Sequence, residues 1–166
     1  MNSTAIAGLG GVVHPQGFLH LESFSLEGTT PLWVYALGDS LLEKRLWMEP
    51  GANTTYVRYT LKRATAPLTL TLKVLINYRN HHHSTQATDW RMEILPWERG
   101  LKIIPKAHLP PFYLLSETAF PEPAHTWYRN YALAMEEYRG IHPLMTITRG
   151  HFYGSPGDGA VLYPGS

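Results

Sequence analysis

The segment Leu-Thr-Leu-Thr-Leu-Lys-Val-Leu-Ile, residues 68–76, decides the fold class of this chain. Apolar side chains occupy every second position from Leu68 to Ile76, and polar side chains fill most of the positions between them. A period of two places the two sets on opposite faces of an extended strand, whereas a helix would require a period of 3.6. The segment therefore predicts a β-strand with one buried face.

The same alternation precedes this strand and recurs along the chain. Val57, Tyr59 and Leu61 alternate with more polar neighbours, and the short break at residues 64–67 predicts an antiparallel hairpin with the strand that follows. The apolar rows of both strands are expected to face the core. Turn-forming residues separate six further candidate strands, which are residues 18–26, 31–37, 41–48, 90–95, 101–104 and 111–115. The chain is thus predicted to be mainly β.

The C-terminal part of the chain carries a different pattern. Apolar and aromatic side chains, beginning with Tyr128 and Tyr131, recur at spacings of three and four, which predicts one short amphipathic helix over residues 127–139. Residues 141–166 are rich in glycine and proline and show no sustained period. We expect this last segment to be a tail without regular structure.

Length, charge and cysteine content exclude several functions. The chain has 166 residues, enough for one domain with its own core. With 14 Lys and Arg against 13 Asp and Glu, the net charge of +1 provides no field that would attract nucleic acid or an anionic membrane surface. The absence of cysteine removes disulfides, thiolate zinc sites and cysteine nucleophiles. Neither a membrane-spanning apolar run nor a secretory signal is recognisable, so a cytoplasmic location is expected.

The composition is rich in aromatic residues and poor in charge. Aromatic residues make up 12% of the chain and charged residues 16%, against about 25% charged residues in an average domain. Many aromatic rings with few charges are typical of sugar-binding faces and of interfaces between domains or subunits. A β-core rich in tyrosine accounts for the same composition, so both interpretations stay open.

Motifs for metal binding and catalysis are weak. In the run of three histidines at residues 81–83, an extended chain directs only the first and third side chains to one side, so a metal site would need further ligands. A polar turn is the simpler interpretation, and we expect no metal and no cofactor. The carboxylates form no recognisable glycosidase pair. Glu43 is followed by Lys44 and Arg45 within a candidate strand, which predicts a solvated or ion-paired face.

Seven short motifs follow one another between residues 11 and 140. They are Gly11–Phe18, Leu21–Phe24, Leu42–Arg45, Asn53–Tyr59, Tyr78–Asn80, Pro110–Leu114 and Trp127–Asn130. In their order and spacing, these motifs resemble the N-terminal domain of bacterial-type glycogen debranching enzymes, the amylo-alpha-1,6-glucosidase family.

This resemblance implies a galactose-mutarotase-like supersandwich of two antiparallel sheets over residues 11–140. In that family the domain precedes an (α/α)6 barrel that carries the catalytic acids, so the resemblance implies an accessory, noncatalytic domain. Residues 1–10 diverge from the family pattern, and residues 141–166 form the Gly/Pro-rich tail, from which we expect a truncated copy with an incomplete sandwich. Such a sandwich would expose strand edges, through which homo-oligomers would form.

Six residues, three after the predicted strand at residues 68–76 and three in the predicted helix, combine aromatic faces with hydrogen-bonding groups. We interpret them as candidates for contact with alpha-glucan (glycogen or limit dextrin) or with the (α/α)6 catalytic domain. They are Arg79, Asn80, His82, Trp127, Tyr128 and Asn130. For Trp127 and Tyr128, packing of a helix against a sheet is an equally valid interpretation.

Two other functions stay open. An autonomous sugar-active enzyme, either a glycoside hydrolase or a mutarotase-like protein, would use His14 or His82 as the acid and Glu117 as the base. A β-sandwich interaction module without a sugar site is the other alternative. Sequence alone does not place the acid and the base near each other, so neither function is excluded.

Overall fold

The structure is a computed structural model that describes residues 6–7, 13–14, 16–80, 82, 90–132, 138–140, 144–154 and 160–164. Within these residues, one 3-10 helix (Gly17–His20) precedes β3. The strands, in chain order, are β1 (Ile6–Ala7), β2 (Val13–His14), β3 (Leu21–Glu27), β4 (Thr30–Leu37), β5 (Ser40–Met48), β6 (Thr55–Arg63), β7 (Leu70–Ile76), β8 (Glu93–Trp97), β9 (Gly100–Ile104), β10 (Phe112–Ser116), β11 (Phe120–Glu122), β12 (Trp127–Ala132), β13 (Leu144–Gly154) and β14 (Ala160–Pro164).

These strands form two antiparallel sheets. The larger sheet has eight strands in the order β3-β4-β5-β6-β14-β10-β9-β8. In the six-stranded sheet, β13 pairs with β7 on one side and with β11 and β12 on the other, while β1 and β2 extend the sheet beyond β12. The predicted fold class, mainly β with two antiparallel sheets, is confirmed.

Tight turns hold the first strands of the larger sheet in an antiparallel meander. Glu27 pairs with Thr30 and Leu37 pairs with Ser40, so two residues connect each pair of strands. The first residue of each connection is a glycine at positive φ, 62° at Gly28 and 59° at Gly38. This is the backbone conformation of a type II′ hairpin turn, which glycine adopts without strain. The predicted turns are therefore confirmed.

The predicted hairpin of β6 and β7 is wrong. β6 pairs with β5 and β14 in the larger sheet, whereas β7 pairs with β13 along its whole length in the smaller sheet. The chain thus crosses between the two sheets over residues 64–69. Alternation identified each segment as a strand, but it carries no information about the partner, which here lies about 70 residues further along the chain.

The predicted helix over residues 127–139 is wrong for residues 127–132, although Tyr138 is helical. Trp127–Ala132 forms β12, which pairs with β13, and the register shifts between Tyr128 and Tyr131. A β-bulge of this kind breaks strict alternation, so the aromatic residues occur at a spacing that also fits a helix. Residues 133–137 lie outside the described residues.

The segment expected to be a tail without regular structure contains two strands. β13 joins three other strands of the smaller sheet, and β14 lies in the middle of the larger sheet between β6 and β10. The expectation of an irregular tail is therefore wrong. Glycine and proline interrupt the period of two, for example at Gly150 within β13, so the sequence pattern obscured a strand that pairing with distant neighbours stabilises.

A buried cluster joins the two sheets at the β8–β10 end of the larger sheet. Leu101 and Ile103 of β9 and Leu114 of β10 pack with Ile76 of β7 and with Met92. Leu72 and Val74 of β7 pack against this cluster, as the predicted apolar row requires. In contrast, Val57, Tyr59 and Leu61 of β6 are only half-buried.

Candidate functional site

The smaller sheet places the two segments that carry the candidate residues at the same level. Ile76, the last residue of β7, and Trp127, the first residue of β12, both pair with Thr148 of β13, from opposite sides. Neighbouring strands lie about 4.8 Å apart, so the two backbones are separated by about 10 Å with β13 between them. The chain therefore leaves β7 and enters β12 in one region of the sheet, which we call the β7–β12 end.

Asn80 organises the polar turn that follows β7. Its side-chain Oδ1 accepts a hydrogen bond from the backbone N–H of His82 at 3.1 Å, which is the pattern of an Asx turn. The Arg79 guanidinium donates to the carbonyl oxygen of Asn80 at 3.5 Å. Asn80 and His82 are exposed, and Arg79 is half-buried. The polar-turn interpretation is thus supported for these residues, while His81 and His83 lie outside the described residues.

Trp127 packs in a small aromatic group at the same end. Its ring centroid lies 5.5 Å from that of Trp90 in a tilted arrangement, and 5.3 Å from that of His125 in an edge-on arrangement. The indole N–H of Trp90 donates a hydrogen bond to the carbonyl oxygen of Pro105. The Nζ of Lys106 lies over the Trp90 ring, 5.1 Å from its centroid. We call Trp90, Trp127, His125 and Lys106 the Trp90 group.

The packing interpretation of Trp127 holds, although its partner is not a helix. The ring packs against Trp90 and His125, and the residue is half-buried. For Tyr128 and Asn130 the structure describes only the backbone, in β12 next to the bulge. The structure thus brings Trp127, Tyr128 and Asn130 together on one strand, with Arg79, Asn80 and His82 beyond the end of β7.

His125 belongs to this site, although the sequence analysis did not indicate it. Its Nε2 is buried, and no hydrogen-bond partner for it lies among the described residues. Burial and the nearby charge of Arg91 lower the pKa of His125, so its imidazole is neutral at pH 7. No local motif marks His125, Trp90 or Lys106, because the chain brings them together from positions far apart.

Glu43, which precedes Lys44 and Arg45 in the sequence, is part of an ion-paired network, as predicted. Glu43 is buried, and its Oε1 accepts a hydrogen bond from Arg45 Nε at 2.7 Å. Arg45 also binds Glu27 through Nη1, at 2.5 Å, and Lys62 Nζ lies 3.9 Å from Glu43 Oε2. These contacts hold the carboxylates of Glu27 and Glu43 against cations on the outer face of the larger sheet.

The described residues contain neither a metal-binding cluster nor a membrane-spanning helix. Within the residues that the structure describes, no three side chains of His, Cys, Asp or Glu are arranged to hold a metal ion. In that part of the chain no helix has the length and apolar character to cross a membrane. The described site therefore consists of aromatic rings, cations and polar side chains at the β7–β12 end.

Comparisons with known proteins give one match. The family model described as glycogen debranching enzyme N terminal matches residues 4–145, which include all six candidate residues and part of the segment at residues 1–10 that was expected to diverge. No curated protein and no solved structure matches the chain.

Proposed function

Because the chain belongs to the glycogen debranching enzyme N-terminal family, we propose that it is a noncatalytic domain that supports an (α/α)6 amylo-alpha-1,6-glucosidase domain. The family match over residues 4–145 is the observation that carries this proposal. The ion pairs of Glu27 and Glu43 agree with it, since both carboxylates are bound to Arg45. The proposed compartment is the cytoplasm, because the family acts on glycogen.

The proposed contact with alpha-glucan lies at the β7–β12 end. Sugars present apolar C–H faces that stack on aromatic rings and hydroxyl groups that hydrogen-bond to polar side chains. At this end the half-buried Trp127 lies at the same level of the sheet as Ile76, after which the chain continues to the turn that carries Arg79 and the exposed His82. The same surface is suitable for a neighbouring catalytic domain, since interfaces share this composition.

A titration with maltoheptaose tests the glucan contact. We expect a change in tryptophan fluorescence that saturates in the millimolar range, and we expect His82→Ala to weaken binding about fivefold, which corresponds to about 1 kcal/mol. His20→Ala, at an exposed histidine of the 3-10 helix, is the matched control and should bind normally. The absence of any response at about 10 mM sugar would exclude direct glucan contact.

Incubation with a branched limit dextrin tests the noncatalytic role. We expect no release of glucose, and no acceleration of anomer interconversion, by the chain alone. The competing hypothesis is an autonomous enzyme that uses His14 or His82 as the acid and Glu117 as the base, of which His82 and Glu117 are exposed. Activity that disappears in Glu117→Gln would overturn the noncatalytic proposal.

A further inference from the structure

β3 ends the larger sheet with a fully exposed edge strand. Among the strands of the described residues, β3 pairs with β4 alone. All seven of its residues are exposed, and the sequence Leu-Glu-Ser-Phe-Ser-Leu-Glu contains neither lysine nor proline. Natural sheets protect their edges with such residues, because an open strand edge pairs readily with another strand.

The register with β4 shows which backbone groups of β3 face outward. Leu26 pairs with Pro31, which has no N–H, so this pair is a non-hydrogen-bonded one. Because hydrogen-bonded and non-hydrogen-bonded pairs alternate, Ser25 and Ser23 bond to β4, whereas Phe24 and Leu26 direct their N–H and C=O groups away from it. The outer side of β3 thus presents donors and acceptors at every second residue.

The apolar side chains at this edge lie on one face of the sheet. Phe24 pairs with Trp33 and contacts its ring at a centroid distance of 5.4 Å, and Leu26 lies on the same face. Phe24 is 55% exposed and Leu26 is 62% exposed. The register shift near Leu21 leaves the segment from Ser23 to Glu27 regular. Open backbone groups and exposed apolar side chains therefore coincide at Phe24 and Leu26.

The opposite edge of the same sheet lacks this combination. β8 has five residues, and Pro96 in its interior supplies no N–H for pairing. Its first residue, Glu93, places an exposed carboxylate at the other end of the strand. Exposed carboxylates occur at both edges, since β3 carries Glu22 and Glu27, so the proline in β8 is the feature that distinguishes them.

We propose that the β3 edge binds the β3 edge of a second copy of this chain, in an antiparallel pair with two-fold symmetry. The sequence Ser23-Phe24-Ser25 reads the same in both directions, so an antiparallel pair centred on Phe24 matches each residue with a suitable partner. In this register Phe24 faces Phe24, Ser23 faces Ser25, and Glu22 faces Leu26.

This register satisfies the three requirements of a strand-edge dimer. The outward N–H and C=O groups of the two Phe24 residues become a hydrogen-bonded pair on the symmetry axis, while Leu26 faces Glu22, the residue at the β-bulge. The two Phe24 rings become cross-strand neighbours on one face, which buries apolar surface that is exposed in the single chain. Glu22 does not face another carboxylate, so no like-charge pair opposes association.

Cysteine cross-linking tests the register directly, because the chain has no cysteine of its own. Directly opposite residues have Cβ atoms about 4.5–5.5 Å apart, and Ser23 faces Ser25 across a non-hydrogen-bonded outer pair, which is within reach of a disulfide. We expect an oxidised mixture of Ser23→Cys and Ser25→Cys chains to give a product of twice the chain mass. Each variant alone should give little of it.

Sedimentation measurements with charged variants test the edge itself. We expect the full chain to dimerise reversibly, and Phe24→Lys to raise the dissociation constant at least about tenfold, because two ammonium groups then meet at the symmetry axis. Ser25→Lys, which leaves Phe24 in place, should weaken the dimer less. Leu95→Lys, at an exposed apolar residue of β8, is the matched control and should leave the dimer unchanged.

The outcomes separate a second copy from other occupants of this edge. Thermal melting of Phe24→Lys as a cooperative transition shows that any loss of the dimer is not a loss of folding. A wild-type chain that stays monomeric up to about 100 µM, as expected if another domain covers β3, overturns the proposal. Equal cross-linking by each single cysteine variant overturns the proposed register.

Discussion

The two ends of the larger sheet have opposite relations to solvent. At the β8–β10 end, Leu101, Ile103 and Leu114 are nearly inaccessible, with exposed fractions of 1%, 0% and 3%. At the other end every residue of β3 is exposed. β8, the edge strand of the first end, is itself mostly exposed, so the contrast is between β3 and the covered strands β9 and β10.

Coverage by the smaller sheet explains the buried end. Ile76 of β7 belongs to the same cluster as Leu101, Ile103 and Leu114, and Leu72 and Val74 pack around it. A strand surface that another sheet covers stabilises the fold of its own chain, whereas an uncovered surface is available for association. We therefore expect substitutions at the buried end to change stability, and substitutions at the β3 end to change assembly.

Truncation of Ile103 tests the buried end most severely. Ile103 has no exposed surface, so Ile103→Ala leaves a cavity in the cluster and should lower the free energy of unfolding by about 2–5 kcal/mol. Leu26→Ala at the exposed edge is the control and should change it by less than about 0.5 kcal/mol. Urea denaturation at a protein concentration below dimer formation provides both values. Equal effects of the two variants would contradict the comparison.

A smaller effect is expected at Gly100, where β9 begins. An added Cβ would lie within van der Waals overlap of the Leu114 carbonyl oxygen, which belongs to the rigid backbone of β10. Gly100→Ala should therefore separate β9 from β10 and destabilise the chain by about 1–3 kcal/mol. Its control is Gly28→Ala, since no atom lies within 4 Å of a Cβ there, although the positive φ of 62° adds some strain.

For Gly100→Ala, the location of the destabilised strands is as informative as the size of the loss in stability. Hydrogen exchange should accelerate in β8–β10 and remain close to wild type in β3 and β4, because the overlap is confined to one end of the sheet. Uniform acceleration along the sheet would show that the two ends unfold as a single unit. In that case the comparison between them would apply to exposure but not to stability.

Local patterns in the sequence predicted the strands of this fold but not their partners. The alternation at residues 68–76 and the turns at Gly28 and Gly38 depend on neighbouring residues, and the structure confirms them. The pairing of β7 with β13 depends on residues about 70 positions away, which a short connection after β6 does not reveal. Local sequence patterns therefore predicted where the strands are, whereas contacts between distant residues determined which strands pair.

The candidate site shows the same division. Asn80 and His82 form a turn within three residues, and Arg45 binds Glu43 two positions away, so both contacts were accessible to sequence reasoning, whereas Glu27 and Lys62 join the network from other strands. The contact of Trp90 with Trp127 joins two segments that the sequence separates by 37 positions. The bulge in β12 also replaced the strand spacing with one that fits a helix, which accounts for the wrong prediction there.

The smallest expected effect concerns pH at the Trp90 group, which contacts the buried end. The pKa of His125 is lowered in the folded chain by burial and by Arg91, so the unfolded chain binds its proton more readily. The contribution of His125 to stability is present above its unfolded pKa of about 6.5 and decreases as the pH falls through that value.

The variant His125→Phe tests this contribution. In His125→Phe the ring contact with Trp127 is conserved but the titration is removed, so the loss of thermal stability between pH 7.5 and 5.5 should become smaller than in the wild type. An identical profile for His125→Phe and the wild type would mean that the imidazole is solvated at both pH values. Lowering the pH would then change the stability of both ends of the larger sheet equally, and the exposed and covered ends would differ only in their packing.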